Sequence, residues 1–165
     1  ETAPETAETL MQTMRDLGRM PVHVRRDLPG FLANRMQHAL AREAFALIDE
    51  GIATPEDVDA AVRFGFGFRY VAAGPALQRD HAGLDVHCAA AATMYPSLAA
   101  AHQPAHALAD LGAEGRLGMK AGAGFYEWPD GEAASERARY HAALSEALGI
   151  IKADLPPIRR REGTA

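Results

Sequence analysis

The chain has 165 residues, a net charge of −5 and 48% hydrophobic residues, which is the composition of one folded domain with a core. The acidic balance argues against a nucleic-acid-binding protein, because phosphate contacts need a clustered cationic surface. No apolar stretch approaches the roughly 18 residues of a membrane span, and the single cysteine, Cys88, leaves no internal disulfide. These features indicate a soluble protein of a reducing, cytoplasmic compartment, with Cys88 as a small buried thiol.

The first 26 residues are predicted to form one helix and one short strand. Segment 4–17 carries apolar residues at helical spacing and is followed by Gly18, a typical helix terminator. Val22 and Val24 then alternate around His23, as in a strand. A single strand has no sheet to join here, so we expect residues 1–26 to be the last helix and strand of an α/β domain.

From residue 27 onward the pattern predicts an all-α body. Segment 31–50 is apolar on nearly all sides, which predicts a central helix of about five turns with neighbours on most faces. Thr54, as the N-cap, and Pro55, at the first helical position, start the next helix. Further helices are predicted in segments 74–98, bent at Gly83, 104–115 and 131–149, with a loop at 115–131 and a solvated basic tail that includes residues 159–161.

Asn34 is the most unusual polar residue of this body. Asn34, His38 and Arg42 follow one another at four-residue steps, so they form a polar seam along one face of the first long helix. A buried amide needs hydrogen-bond partners, since losing them costs about 1–3 kcal/mol. Two roles therefore stay open: Asn34 ties down the preceding loop, or it holds a ligand.

A lysine and a pair of histidines are further candidates for a site. Lys120 lies among the glycines of the loop, where a flexible backbone with one cation can close over a phosphate or a ribose, although a solvated lysine is the plain alternative. His102 and His106 are four residues apart, but Pro104 separates them and no third ligand accompanies them. We therefore predict no metal site.

Four separate stretches of the sequence, in their order along the chain, match one known pattern. They are “LGRMPVHVRRDLPGFLANRM”, “AFALIDEGIATPEDVDAAVRFGFGF”, “GPALQRDHAGLD” and “GRLGMKAGAGFYEW”. Together they cover residues 17–128, and this region resembles the C-terminal part of the 3-hydroxyacyl-CoA dehydrogenase family.

The resemblance implies a helical domain of the 6-phosphogluconate-dehydrogenase C-terminal-like type that binds substrate and forms a homodimer. It divides the chain into the end of an NAD-binding domain at 1–26, the all-α domain at 27–150 and a tail at 151–165. It also implies that the catalytic histidine and its glutamate precede residue 1, that His23 does not replace this histidine, and that the chain alone is inactive.

The same resemblance assigns roles to individual residues. Asn34 corresponds to the asparagine that positions substrate and the catalytic histidine, and Lys120 corresponds to a lysine that reaches NAD. His38, the next residue along the seam, is expected to contact the small-molecule substrate. The implied reaction oxidises the 3-hydroxyl of an acyl-CoA, with a histidine base taking the hydroxyl proton while a hydride passes to NAD.

One segment departs from the acyl-CoA pattern. Residues 68–75, “FRYVAAGP”, resemble relatives that act on hydroxy acids without CoA, such as L-gulonate and carnitine dehydrogenases. Arg69 in this segment either pairs with a substrate carboxylate, which a guanidinium matches well, or forms a structural ion pair. Besides acyl-CoA oxidation, the alternatives are therefore a hydroxy-acid dehydrogenase and a helical dimerisation module without catalysis.

Overall fold

The computed structural model describes residues 2–158, and within them the chain is helical, as predicted. None of the helices in this part of the chain combines the length and the apolar character that a membrane span requires. The basic run at 159–161, predicted to be a solvated tail, lies outside the described residues. The α-helices are α1 (Pro4–Asp16), α2 (Ala33–Asp49), α3 (Pro55–Ala60), α4 (Pro75–Ala82), α5 (Leu84–Met94), α6 (His106–Ala113) and α7 (Glu132–Ile151).

The first helix forms as predicted, but the strand after it does not. Gly18 closes α1 with a φ of +68°, and its N–H donates to the Arg15 carbonyl at 2.8 Å. Residues 19–24 are irregular backbone, and no partner strand exists among residues 2–158. A strand is stable only when its N–H and C=O groups pair with a neighbour, so the prediction of a strand around His23 is wrong for the described chain.

The first long helix begins two residues later than predicted, because a tight turn precedes it. Gly30 and Phe31 both adopt left-handed backbone conformations, with φ of +78° and +47°. The Phe31 N–H closes the turn by donating to the Leu28 carbonyl at 3.1 Å. The left-handed conformation costs a residue with a side chain about 1–2 kcal/mol. The helix therefore starts at Ala33, which places Asn34 in its first turn.

A capping box starts α3. The Thr54 hydroxyl accepts from the Asp57 N–H at 3.2 Å, and the Asp57 carboxylate accepts from the Thr54 N–H at 3.3 Å. Pro55 occupies the first turn, as predicted. Beyond α3 the chain widens into a π-helical segment, Ala61–Phe66, and then tightens into a 3-10 segment, Gly67–Val71. This irregular stretch carries the beginning of the “FRYVAAGP” segment.

The remaining helices form where they were predicted, with several ends displaced by a few residues; the helix predicted at 104–115, for example, spans His106–Ala113. Gly83, with φ of +95°, separates α4 from α5 as a bend. A 3-10 turn, Tyr95–Ser97, follows α5. The last helix passes its predicted end at Gly149 and continues to Ile151, since a glycine inside a helix weakens it by only about 1 kcal/mol.

Two carboxylates of α2 hold distant segments against it. Asp49 caps α6, because it accepts from the backbone N–H groups of His106, at 2.7 Å, and Ala107. Glu43 accepts from the Ala99 N–H at 2.7 Å. A carboxylate at a helix N-terminus is stabilised by the helix dipole and by the free N–H groups there. These contacts make α2 and α6 one packed pair.

The predicted core is absent from the described chain. No hydrophobic residue among residues 2–158 is fully buried, and Met36 and Leu40 on α2 remain 56% and 41% exposed. Cys88, predicted to be buried, is exposed on α5. The prediction that α2 has neighbours on most faces is also wrong, because the described helices leave much of its apolar surface open. A chain of this length ordinarily buries well over half of its surface.

Candidate functional site

A surface depression of about 450 Å³ lies at the start of α2. The turn at Pro29 and Gly30 forms one side of it, and one face of the helix forms the other. Asn34, His38 and Arg42 share this face, so the predicted polar seam lines the depression. The structure thus brings two of the predicted site residues, Asn34 and His38, to the same concave surface.

The amide of Asn34 makes no hydrogen bond to any residue in the described range. The loop before α2 is held instead by Arg35, whose guanidinium donates to the Pro29 carbonyl at 3.3 Å. Asn34 is exposed at the edge of the depression, so its amide N–H and carbonyl are both accessible. Of the two roles left open by the sequence, tying down the loop is not seen in the described chain, because Arg35 makes that contact and Asn34 does not.

A second cavity, of about 490 Å³, shares His38 and Arg42 with the first. His102, in the segment that leads into α6, and His106, the first residue of α6, also line it. No group of three metal-ligating side chains occurs among residues 2–158. The histidines therefore extend the polar lining of the seam, which carries imidazole and guanidinium donors along its length.

Two aromatic side chains attach the 115–131 loop to the helices. The Phe125 ring stacks on Phe45 of α2, with centroids 5.3 Å apart and an interplanar angle of 16°. The Tyr126 hydroxyl donates to the Asp59 carboxylate of α3 at 2.8 Å. Burial, together with the hydrogen bond and negative charge of Asp59, raises the pKa of Tyr126 to about 12. The phenol therefore stays protonated and keeps donating throughout the neutral range.

Lys120 lies in a turn of this loop, outside the depression that holds Asn34. The turn is ordered, because the Ala121 N–H donates to the Gly118 carbonyl at 2.9 Å and the Gly118 N–H donates to the Ala123 carbonyl at 2.7 Å. Lys120 is exposed and forms no ion pair with a carboxylate in the described range. A cation held on an ordered turn without an acidic partner fits the polar edge or a phosphate of a nucleotide.

Arg69 lies in a different cavity from Asn34. Its guanidinium lies over the ring of Phe68, 5.8 Å from the centroid, in the 3-10 segment that precedes α4. It forms no ion pair with a carboxylate in the described chain, so the structural ion pair that is its alternative role is not present there. The structure therefore separates Arg69 from the seam of Asn34 and His38.

A concave surface of about 450 Å³ onto which a few polar side chains converge has the size of a small-molecule site. The comparison with protein families defines it further, because residues 30–128 match the model described as “3-hydroxyacyl-CoA dehydrogenase, C-terminal domain”. The match covers more than half of the chain, which therefore belongs to the 3-hydroxyacyl-CoA dehydrogenase family, a family of NAD-dependent oxidoreductases. The resemblance found in the sequence is confirmed.

Curated relatives extend this comparison. The chain is 34% identical over 151 residues to 5-formyl-3-hydroxy-2-methylpyridine 4-carboxylate 5-dehydrogenase of Mesorhizobium japonicum, covering 90% of this chain and 49% of the relative. It is 45% identical over 82 residues to L-carnitine dehydrogenase of Burkholderia mallei, covering 50% of this chain and 26% of that protein. The chain thus spans about half the length of the first relative.

A solved structure has the same fold. The crystal structure of 5-formyl-3-hydroxy-2-methylpyridine 4-carboxylic acid 5-dehydrogenase, described as an NAD⁺-dependent dismutase, superposes with a TM-score of 0.87 at 30% identity. The superposition covers 92% of this chain and 49% of the solved one. The all-α fold class predicted from the sequence is therefore confirmed against a dehydrogenase of this family.

Proposed function

We propose that this chain is the substrate-binding domain of an NAD-dependent dehydrogenase, with the 3-hydroxyl of an acyl-CoA as the group oxidised. Family membership and the NAD⁺-dependent solved relative support the reaction class. The observation that carries the proposal is the amide of Asn34, which lines a depression of about 450 Å³ and has no hydrogen-bond partner in the described chain. In this proposal residues 1–26 close an NAD-binding domain and residues 27–150 form the substrate domain.

An amide suits both sides of this reaction. The Asn34 carbonyl accepts a hydrogen bond from the hydroxyl of the substrate, and its N–H₂ donates to the carbonyl of the product. The amide does so without adding a charge beside the reacting carbon. His38 and Arg42, further along the seam, hold other polar groups of the substrate. The base that takes the hydroxyl proton is the histidine of the family, which we assign to no residue of this chain.

NAD, when bound, supplies the acceptor for the hydride. We propose that Lys120 donates to the polar edge of this cofactor, because its ammonium group is exposed on an ordered turn and has no carboxylate partner among the described residues. The aromatic contacts of Phe125 and Tyr126 fix the loop that presents it.

A hydroxy acid without CoA is the second candidate substrate. The named substrates of the two curated relatives are carnitine and a pyridine carboxylate, neither of which contains CoA. Arg69, which lacks an acidic partner in the described chain, offers a guanidinium to such a carboxylate.

A substrate panel tests the proposal on the enzyme that carries this domain. With NAD reduction as the readout, we expect kcat/KM for 3-hydroxybutyryl-CoA to exceed that for carnitine, gulonate and free 3-hydroxybutyrate, because the matching family is named for acyl-CoA substrates. A preference for free carboxylates that disappears in Arg69→Ala assigns the hydroxy-acid function instead. No NAD reduction with any of them contradicts both the acyl-CoA and the hydroxy-acid functions and favours a helical dimerisation module without catalysis.

We further propose that a second copy of the chain covers the open apolar surface of α2. Leu40, Val58 and Val62 line an apolar groove of about 380 Å³ between α2 and α3. On α7, Leu144 and Leu148 are each 48% exposed. A large apolar surface without cover is unfavourable in water, and a stable interface needs about 800 Å² from each partner. The family resemblance favours a homodimer as the means of covering it.

Leu40→Glu is expected to convert a dimer into monomers, because it puts a charge into the apolar groove. The measurement is the molecular mass in solution by light scattering at several protein concentrations. Leu10→Glu is the matched control, since Leu10 is exposed on α1, which precedes the all-α body. A monomeric unsubstituted protein, or a dimer that tolerates Leu40→Glu and not Leu10→Glu, would contradict the proposed interface.

A further inference from the structure

Another cavity, of about 430 Å³, is formed by the 3-10 segment before α4, by α4 and by the start of α5. We call it the Arg69–Arg79 cavity, after the two arginines that line it. Phe68, Gln78, His81 and His87 contribute further to its walls. Its volume is that of a small organic molecule rather than of a single ion.

The charged side chains that line this cavity are all basic. Two guanidinium groups and two imidazoles line it, and no aspartate or glutamate is among its lining residues. Neither Arg69 nor Arg79 forms an ion pair with a carboxylate within residues 2–158. Both arginines are exposed, so a molecule arriving from solvent reaches them. A guanidinium presents paired N–H donors whose spacing matches the two oxygens of a carboxylate.

His87 supplies an independent observation. The Arg79 guanidinium lies 3.2 Å from Nδ1 of His87. Arginine only donates, so Nδ1 must accept, and the proton of the neutral ring is then on Nε2. Nε2 is buried and has no hydrogen-bond partner among the described residues. A buried donor without an acceptor is unfavourable, and because His87 lines the cavity, a ligand with an acceptor group would offer Nε2 a partner.

We propose that the Arg69–Arg79 cavity binds the carboxylate of a small organic acid. Arg69 and Arg79 donate to the two carboxylate oxygens, and His87 orients the Arg79 guanidinium through Nδ1. The carboxylate belongs either to a hydroxy-acid substrate or to a separate carboxylate ligand. The binding itself does not depend on the proposed dehydrogenase activity; only the identity of the molecule that bears the carboxylate does.

The direct test is titration of the protein with 3-hydroxybutyrate, with binding measured by calorimetry or by the NMR chemical shifts of the arginine side chains. The neutral probe 3-hydroxybutyramide has nearly the same shape without the charge. We expect the acid to bind and the amide not to bind. Because both arginines are exposed, we expect Arg69→Gln and Arg79→Gln each to lower the affinity for the acid by about three- to fivefold. The double variant should lower it by about tenfold or more.

Arg63→Gln is the matched control, because Arg63 is also exposed and lies over its neighbouring ring, Phe64, at 5.1 Å. It lines no part of the Arg69–Arg79 cavity and should leave binding of the acid unchanged. Melting temperatures of all variants confirm that they are folded. Equal binding of acid and amide, affinities that do not change in the double variant, or tighter binding of inorganic phosphate would overturn the proposal.

Steady-state kinetics distinguish the two sources of the carboxylate. If it belongs to the substrate, Arg79→Gln raises KM for a hydroxy acid and leaves KM for 3-hydroxybutyryl-CoA unchanged. If it belongs to a separate ligand, direct binding of 3-hydroxybutyrate weakens while KM stays the same for both substrates. Both results support the cavity as a carboxylate site. The titration tests carboxylate binding independently of the substrate panel, so it remains valid even if the panel shows no NAD reduction.

Discussion

Replacing Asn34 with alanine is expected to lower turnover of the enzyme that carries this domain by about 100-fold while leaving its thermal stability nearly unchanged. Loss of one oriented hydrogen-bond donor at a reacting oxygen typically costs 10²–10³ in rate. The amide has no partner in the described chain, so its removal breaks no internal hydrogen bond. Exposed helix positions of this kind usually change the free energy of unfolding by less than about 0.5 kcal/mol. The measurements are kcat and the melting temperature of the same preparation.

Gln37→Ala is the control for this prediction. Gln37 is on the same helix and is also exposed, but it lines the apolar groove rather than the depression of Asn34. We expect it to keep kcat within about twofold, because it contacts no group assigned to the reaction. A large fall in melting temperature with unchanged kcat in Asn34→Ala would show that the amide is only structural. Asn34→Asp separates size from chemistry, because it keeps the shape and the acceptor but loses the N–H donors.

Local sequence signals predicted the helices well, because the interactions that start and end a helix involve residues close in the chain. The capping box at Thr54 needs only the residue three positions later, and the bend at Gly83 needs only its own positive φ. The polar seam of Asn34 and His38 was likewise predictable, since a spacing of four residues places side chains on one helix face.

The failures concern features that depend on distant partners or on local strain. A strand around His23 needs a neighbouring strand, which the described residues do not contain. The apolar pattern predicts that Phe31 is helical, but its φ of +47° reflects the turn that Gly30 begins. An apolar pattern indicates that a face prefers to be covered; it does not identify what covers it.

The parts of the site that the sequence did not predict are side-chain pairs that the fold brings together. Tyr126 and Asp59 are 67 residues apart in the chain, so no spacing rule connects them. Arg79 and His87 are only eight residues apart, but a helix break at Gly83 separates them, and helical periodicity does not carry across that break. In both pairs the only sequence signal was the residue type, a group that can donate or accept a hydrogen bond.

Gly124→Ala is expected to lower the free energy of unfolding by about 2 kcal/mol. Gly124 is buried, and a Cβ added to it would lie 2.8 Å from Cα and 3.0 Å from the nitrogen of Gly118. Gly118 cannot easily give way, because its φ of +79° and its hydrogen bond to the Ala123 carbonyl fix the turn. Forcing one extra carbon into a well-packed site typically costs about 1–3 kcal/mol. The measurement is denaturant unfolding with a fixed m-value.

Gly149→Ala gives the opposite sign and serves as the control. Gly149 is exposed inside α7, and nothing lies within 4 Å of an added Cβ, so the change should stabilise the helix by about 0.5–1 kcal/mol. Because Lys120 lies on the turn that Gly124 packs against, Gly124→Ala should also raise KM for NAD, whereas Gly149→Ala should not. Equal effects of the two substitutions on stability would mean that the turn at Gly118 moves to make room for the added Cβ. An unchanged KM for NAD in Gly124→Ala would contradict the proposed contact between Lys120 and the cofactor.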